Sequence, residues 1–205
     1  MNINNRTLER YDEIVEEYVE TNKGNGEIKL QSEIFLSLLF GKKILDVGCG
    51  FGRDTDFFSS KGFNSIGIDA SEGMLRKANS LYPNRLFRKF NLLIDDYSTL
   101  GQFDGIWACA SLLHFDLHQF KEVLNSLVGS LKGNGVLYIS MKTCSENGSY
   151  DDSGRWFQLY SSRELEIIFK NLGLELIEKK ENIIQSSNLI FTSFFLKKNR
   201  KSIAF

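Results

Sequence analysis

A short apolar run over residues 43–47 carries one acid, Asp46, and then breaks into glycines at 48, 50 and 52. Glycine there lets the main chain turn tightly and approach a ligand with no Cβ in the way. The helix expected next offers unpaired N–H groups at its start. A dinucleotide fingerprint, G-x-G-x-x-G, counted from Gly48 would need glycine at 53, where Arg53 stands; a Walker loop would need Gly-Lys-Ser/Thr, which is missing. A second apolar run, 65–69, ends in Asp69, at about the twenty-residue spacing at which an acid can accept hydrogen bonds from ribose hydroxyls. Taken singly, the glycines also fit a plain strand-to-helix turn, and Asp69 beside Ser71 fits simple helix capping. Together they point to a nucleoside ligand.

Other side chains bear on catalysis. His114 stands just past an apolar run at 103–110, and an imidazole titrates near neutrality, so it is the best-placed general base. His118, four residues on, reads as helix surface. The histidines lack companion ligands and the three cysteines (49, 109, 144) lack C-x-x-C spacing, so no metal site and no disulfide scaffold are expected. Lys142, Arg155, Trp156, Phe157 and Tyr160 mix charge and aromatic rings around a polar stretch, 143–155, that reads as a loop over the active edge. Lys142 and Arg155 suit an anionic substrate group.

Elements must hold these groups in place. Apolar spacing predicts helices around Tyr11–Tyr18, at 34–39, 55–60 and 71–80, and a long amphipathic one from Leu117 to Leu131. Strands are predicted at 43–47, 65–69, 86–90, 103–110 and 135–141. Ser161 with Glu164 suggests a capping box for a helix ending at Gly173. Strands at 174–178 and 189–196 follow, joined by Gln185-Ser-Ser-Asn188, too short for a crossover helix, so these two pair antiparallel. Repeated strand–helix units make an α/β, doubly wound sheet, mainly parallel, with helices on both faces. Ligands bind such sheets beyond the carboxyl ends of the strands, where the strand order switches.

The segments 43–52, 66–71 (Ile-Gly-Ile-Asp-Ala-Ser), 103–114 (Phe-Asp-Gly-Ile-Trp-Ala-Cys-Ala-Ser-Leu-Leu-His) and 131–140 (Leu-Lys-Gly-Asn-Gly-Val-Leu-Tyr-Ile-Ser) together resemble the motifs of class I S-adenosylmethionine-dependent methyltransferases. The resemblance runs from about Tyr11 to Leu196. It implies a Rossmann-like sheet of about seven strands with an antiparallel C-terminal strand, and S-adenosyl-L-methionine as cofactor, leaving S-adenosyl-L-homocysteine. Gly48, Cys49 and Gly50 would pass beneath the cofactor, Asp46 would hold its amino end and Arg53 its carboxylate. Asp69 would hold the ribose, Ala70 and Met74 the adenine faces, and Asn91 and Leu92 the adenine edge. Ala108, Leu113 and His114 would lie beside the sulfonium, with Tyr11 and Tyr18 covering it from the leading helix. The catalytic set expected is His114, Tyr18, Lys142 and Arg155. Two departures stand out: Asn91 replaces an acid, and the turn before the fifth strand is Lys132-Gly-Asn-Gly135 instead of Lys-Pro-Gly-Gly.

Composition narrows the function classes. The 205 residues are 42% hydrophobic and 25% charged, with a formal net charge of −1, so a folded core is expected and no strong field favours nucleic acid or an anionic membrane. One methyltransferase domain is expected over 1–205: cap helices at 1–41, a cofactor-binding core at 42–142, a substrate-side loop at 143–161, and a helix with a strand pair at 162–205. A polar, acidic start with no apolar run of about 20 residues predicts a cytoplasmic protein without signal or membrane span. The partner expected is a small-molecule methyl acceptor receiving the group on N or O by in-line displacement, with the protein a monomer or homodimer. Nucleic acid is not expected. The alternatives are an RNA or protein methyltransferase using Lys197, Lys198, Arg200 and Lys201, and a non-catalytic S-adenosylmethionine-binding protein. An NAD-dependent oxidoreductase is disfavoured by the glycine spacing.

Overall fold

The apolar runs at 43–47, 64–69, 103–109 and 135–141 become strands of one seven-stranded sheet, and the segments with helical apolar spacing cover it. The computed structural model describes residues 3–24, 28–144, 148–183 and 190–199. Helices α1 (Ile3–Glu13), α2 (Val15–Asn22) and α3 (Lys29–Leu38) lead into the alternating core. That core runs β1 (Lys43–Val47), α4 (Arg53–Ser60), β2 (Asn64–Asp69), α5 (Glu72–Leu81), β3 (Leu86–Lys89), β4 (Phe103–Cys109), α6 (Leu117–Gly129) and β5 (Leu131–Thr143). It is followed by β6 (Gly148–Asp152), β7 (Arg155–Leu159), α7 (Ser162–Asn171), β8 (Leu174–Ile183) and β9 (Ile190–Lys198).

The sheet order is β3-β2-β1-β4-β5-β9-β8. Strands β1 to β5 are parallel, and β9 runs antiparallel to both β5 and β8. The order switches direction between β1 and β4, so the crevice predicted for a ligand opens above those two strand ends. Alternation along the strands supplies two cores. Leu45, Val47, Ile106, Ala108 and Ile139 pack toward Phe120, Leu124, Leu165 and Phe169. Ile44, Trp107, Tyr138 and Phe195 pack on the other face with Phe35 and Phe58, and there the Trp107 and Tyr138 rings stack with centroids 3.7 Å apart.

Several expectations change in detail. The leading helix breaks at Ile14 (φ −100°, ψ 15°) into α1 and α2. Strand β5 begins at Leu131 rather than Gly135, and β8 continues past Glu178 to Ile183 through a register shift between Leu176 and Glu178. The stretch 143–155, expected as a loop, contributes to a two-stranded hairpin, β6–β7. Ser153 and Gly154 close it with φ of +53° and +93°, the left-handed pair that a tight hairpin turn requires. The Ser71 and Ser161 hydroxyls cap α5 and α7 as expected, and a full capping box of Asp116 and Gln119 starts α6. The link Gln185–Asn188 and the basic residues Arg200 and Lys201 lie outside the described residues. Among the described residues no helix is long and apolar enough to cross a membrane.

Candidate active site

The turn after β1 is fixed by its neighbours. The main-chain N–H groups of Gly48 and Cys49 both donate to the Ile68 carbonyl, at 2.8 and 3.0 Å. Gly48 has φ +66°, and a Cβ there would lie 2.4 Å from the Ser111 Cβ. Gly50 has φ +53°, but a Cβ there would meet nothing within 4 Å, so it faces open space in the crevice. Its N–H donates to Asp69 Oδ2 at 2.8 Å, and Ser71 N–H donates to Oδ1 at 2.8 Å. Each carboxylate oxygen keeps a lone pair for a further donor. Burial raises the Asp69 carboxyl, and the N–H groups of Ser71, Gly50 and Ala70 pull it back.

Asp69 stands at an inner pocket of about 140 Å³ walled by Ala70, Met74, Phe90, Asn91 and Leu92. Asn91 is tied into its own loop: its Oδ1 accepts from Leu93 N–H at 3.0 Å, while its main-chain N–H donates to Asp95 at 2.7 Å. One lone pair on Oδ1 remains for an incoming group. Two wall residues were not legible in the sequence. Ser111 places its hydroxyl in this pocket, buried and without a partner among the described residues. Ala110 holds φ +51°, an uncommon value for a residue with a Cβ. Ala108 corrects an expectation. It is fully buried in the core and its neighbours Cys109 and Ala110 line the crevice instead: Cys109 is on the opposite face of the strand, and Ala110 lies just past the strand's end.

A larger cleft of about 1120 Å³ adjoins the pocket, sharing Tyr11, Tyr18, Gly48, Gly50, Cys109 and Ala110 with it. Asp46, Cys49, Arg53 and Leu113 lie on its wall. Asp46 is buried, accepts from the Thr55 hydroxyl at 2.6 Å, and is held well above the usual carboxylate range by burial and by Asp54. Arg53 is mostly buried: Nε donates to Asp54 at 2.7 Å, Nη1 to the Asn22 carbonyl at 2.9 Å and Nη2 to Asp54 at 3.3 Å. Each terminal nitrogen carries a second N–H beyond these bonds. Burial also pushes the Cys109 thiol up to about 12 and the Cys49 thiol upward, so neither is a nucleophile at neutral pH.

Helix α1 closes the crevice from above. Asp12 Oδ1 accepts from the Ser71 hydroxyl (2.6 Å) and from Gly73 N–H (2.8 Å), and Thr7 Oγ1 accepts from Trp156 N–H (3.1 Å). Tyr11 meets His114, with Oη 3.0 Å from Nε2. His114 Nδ1 lies 2.7 Å from the Trp156 carbonyl. A carbonyl only accepts, so Nδ1 carries the proton and Nε2 receives the Tyr11 hydroxyl. Burial, with Arg155 and Lys142 nearby, lowers the imidazole to about 4, so it is neutral at pH 7. Both lone-pair and proton sites of His114 are therefore engaged, and any route from it to a ligand passes through Tyr11.

The hairpin brings the other two expected residues to the cleft. Lys142, at the end of β5, donates to the Tyr150 hydroxyl at 2.7 Å and sits 4.1 Å over the Phe157 ring. Arg155 donates to Asp152 at 2.7 Å and lies between the Tyr11 and Phe157 rings, 5.8 and 5.6 Å away.

Comparison with known proteins agrees with this fold. Residues 44–135 match the methyltransferase domain model. The magnesium-protoporphyrin O-methyltransferase of Rhodobacter capsulatus is 30% identical over 107 residues, 51% of this chain and 48% of that one. The putative methyltransferase YqeM of Bacillus subtilis (strain 168) is 32% identical over 101 residues, 46% of this chain and 40% of that one. The chain thus spans about half or less of these relatives. Among solved structures, the 1,6-didemethyltoxoflavin-N1-methyltransferase of Burkholderia thailandensis superimposes with a TM-score of 0.78 at 17% identity, covering 95% of this chain and 88% of that one. The [4+2]-cyclase SpnF shares the fold too, with a TM-score of 0.66 at 15% identity over 83% of this chain and 81% of that one. Residues 44–135 thus match a methyltransferase domain, and the chain shares the fold of solved S-adenosylmethionine-dependent methyltransferases.

Proposed function

We propose that the protein binds S-adenosyl-L-methionine across the two chambers and transfers its methyl group to an N or O atom of a small-molecule acceptor. The observation that carries this reading is the Asp69 carboxylate. It is half-buried and oriented by two main-chain N–H groups, and it keeps lone pairs free beside a crevice whose floor at Gly50 has no side chain. The unpartnered Ser111 hydroxyl in the same wall fits a polar ligand that would complete it. Asp69 would take the ribose hydroxyls. Ala70, Met74, Asn91 and Leu92 would enclose the adenine, while Asp46, Arg53 and the turn at 48–50 would face the amino-acid end. When bound, the cofactor supplies an electrophilic methyl on a sulfonium. The protein orients the acceptor, and such alignment contributes roughly 7–11 kcal/mol in favourable cases. Tyr11 and Tyr18 exclude water from above. Tyr11 can pass a proton to His114 Nε2 if the acceptor must lose one.

The fold alone does not settle transfer, since a cyclase shares it. The enzyme reading rests on the cleft that adjoins the pocket and is spacious enough for an acceptor. The basic tail gives little support to an RNA substrate: Lys198 Nζ is spent on the Val128 and Leu131 carbonyls, at 2.7 Å each. The test is calorimetry with S-adenosyl-methionine and S-adenosyl-homocysteine. Both are expected to bind, and Asp69→Ala is expected to weaken binding at least tenfold with the circular dichroism spectrum retained, because the ribose loses a charged acceptor. Unchanged affinity in the variant, or no binding to the wild type, overturns the reading.

A further inference from the structure

The large cleft has a second end, away from the glycine turn, and its chemistry is one-sided. On the cleft face of β5 and β9 the cross-strand pairs Ser140 with Ser193 and Lys142 with Phe191 follow one another, which places Lys142 at the mouth. No carboxylate of the described residues lies within 4.0 Å of its Nζ; the ammonium is held by a phenol and two aromatic faces instead. Arg155 faces the same cleft. Its guanidinium is paired with Asp152 and also hydrogen-bonds the Tyr11 side chain, while its Nε–H is buried and has no partner among the described residues. On α3, Gln31 is 6% exposed and its Oε1 is also buried and unpartnered while lining this cleft. Two unanswered polar atoms in one cleft, a donor and an acceptor, are costly unless a ligand answers them.

Arg53 is already paired with Asp54 and Arg155 with Asp152, whereas Lys142 has no carboxylate partner among the described residues. Glu17 lines the same cleft and disfavours a doubly charged ligand, so a monoanion matches better than a dianion. The aromatic walls, Phe157 and Phe191 with Tyr11 and Tyr18, suit a flat ring that buries apolar area against them. Resting on the proposed methyl-transfer reading, we infer that the acceptor is a small aromatic carboxylate. Its carboxylate is taken by Arg155 and Lys142, and an O–H or N–H on the ring donates to Gln31 Oε1.

The test uses the full chain saturated with S-adenosyl-homocysteine and measures binding of 4-hydroxybenzoate, 4-hydroxybenzamide, benzoate and phenyl phosphate by calorimetry. 4-Hydroxybenzoate is expected to bind at least tenfold more tightly than its neutral amide, and more tightly than phenyl phosphate. Arg155→Gln combined with Lys142→Met is expected to reduce the acid–amide ratio to under twofold. Gln31→Leu is expected to erase the preference for 4-hydroxybenzoate over benzoate while leaving the acid–amide ratio in place. A wild type that prefers the amide or the phosphate, or that takes none of the four, overturns the inference, as does an acid preference that survives in the double variant. Titration of the wild type and variants with S-adenosyl-homocysteine keeps the two readings apart. If that product binds and the acids show no preference, only the acceptor class is wrong; if it does not bind, the cofactor reading itself has failed.

Discussion

At His114, position and state come from different levels of the chain. The sequence places a histidine just past the fourth strand of the core, where a ligand is expected, and that much is legible. Its tautomer is set by the Trp156 carbonyl 42 residues away and its lone pair is occupied by Tyr11, 103 residues away. Neither contact has a sequence signal. Burial depresses the imidazole to about 4 from an unfolded value near 6.5. The unfolded chain thus binds the proton first, and the stability owed to a neutral His114 is complete above about pH 6.5 and lost as pH falls toward 4. Half-buried Asp69 and buried Asp46 are shifted upward and give the opposite slope, so the effect is read as a difference. The stability of wild type minus His114→Phe, from urea midpoints, is expected to decline by roughly 3 kcal/mol between pH 7 and pH 4. A pH-independent difference would show that folding does not shift the His114 titration.

Elements were legible where one period ran long enough to read. The strands carrying Asp46 and Asp69 and the long apolar face of α6 came directly from their spacing. The β6–β7 hairpin did not, because each strand has only five residues and the polar residues between Thr143 and Arg155 dominate the stretch. The signal present was the Ser153-Gly154 pair flanked by Tyr150 and Phe157, which now stack at 5.0 Å. Strand alternation similarly decides that Cys109, not Ala108, faces the crevice. The glycine turn is testable at this scale. Gly48→Ala adds a left-handed strain of roughly 1–2 kcal/mol and also drives a Cβ into Ser111. Gly62→Ala, with φ +82° and open space, carries the strain alone. Thermal unfolding is expected to show the larger loss at Gly48, and equal losses would mean that Ser111 moves away freely. Docking of α1 depends on Asp12, whose single oxygen accepts two donors from the start of α5. Asp12→Ala is expected to cost about 2 kcal/mol and to raise amide exchange across residues 3–22 while leaving β1, β4 and β5 protected.

Over the whole molecule, the crevice is built from three sources that meet only in the folded state. The parallel core supplies the floor and Asp69, α1 and α2 supply Tyr11 and Tyr18, and the hairpin supplies Arg155 and Phe157. The lid and hairpin touch each other through Thr7 and Trp156 and through Tyr11, His114 and the Trp156 carbonyl. A ligand filling both chambers therefore contacts all three units and ties their opening to its own release. Binding to the folded state alone raises stability by about 2.7 kcal/mol at a hundredfold excess over Kd, and each kcal/mol moves the midpoint by roughly 2–4 °C for a chain of this size. Saturating S-adenosyl-homocysteine is thus expected to raise the thermal midpoint by roughly 5–10 °C. Hydrogen exchange measured in parallel is expected to slow at 48–50 and 69–71, and equally in α1, α2 and β7, which cover the crevice rather than form its floor. A midpoint shift with protection confined to the glycine turn and the Asp69 loop would mean that the lid and hairpin open independently of the ligand. The floor would then bind without the cover, and coupling between the three units would be absent.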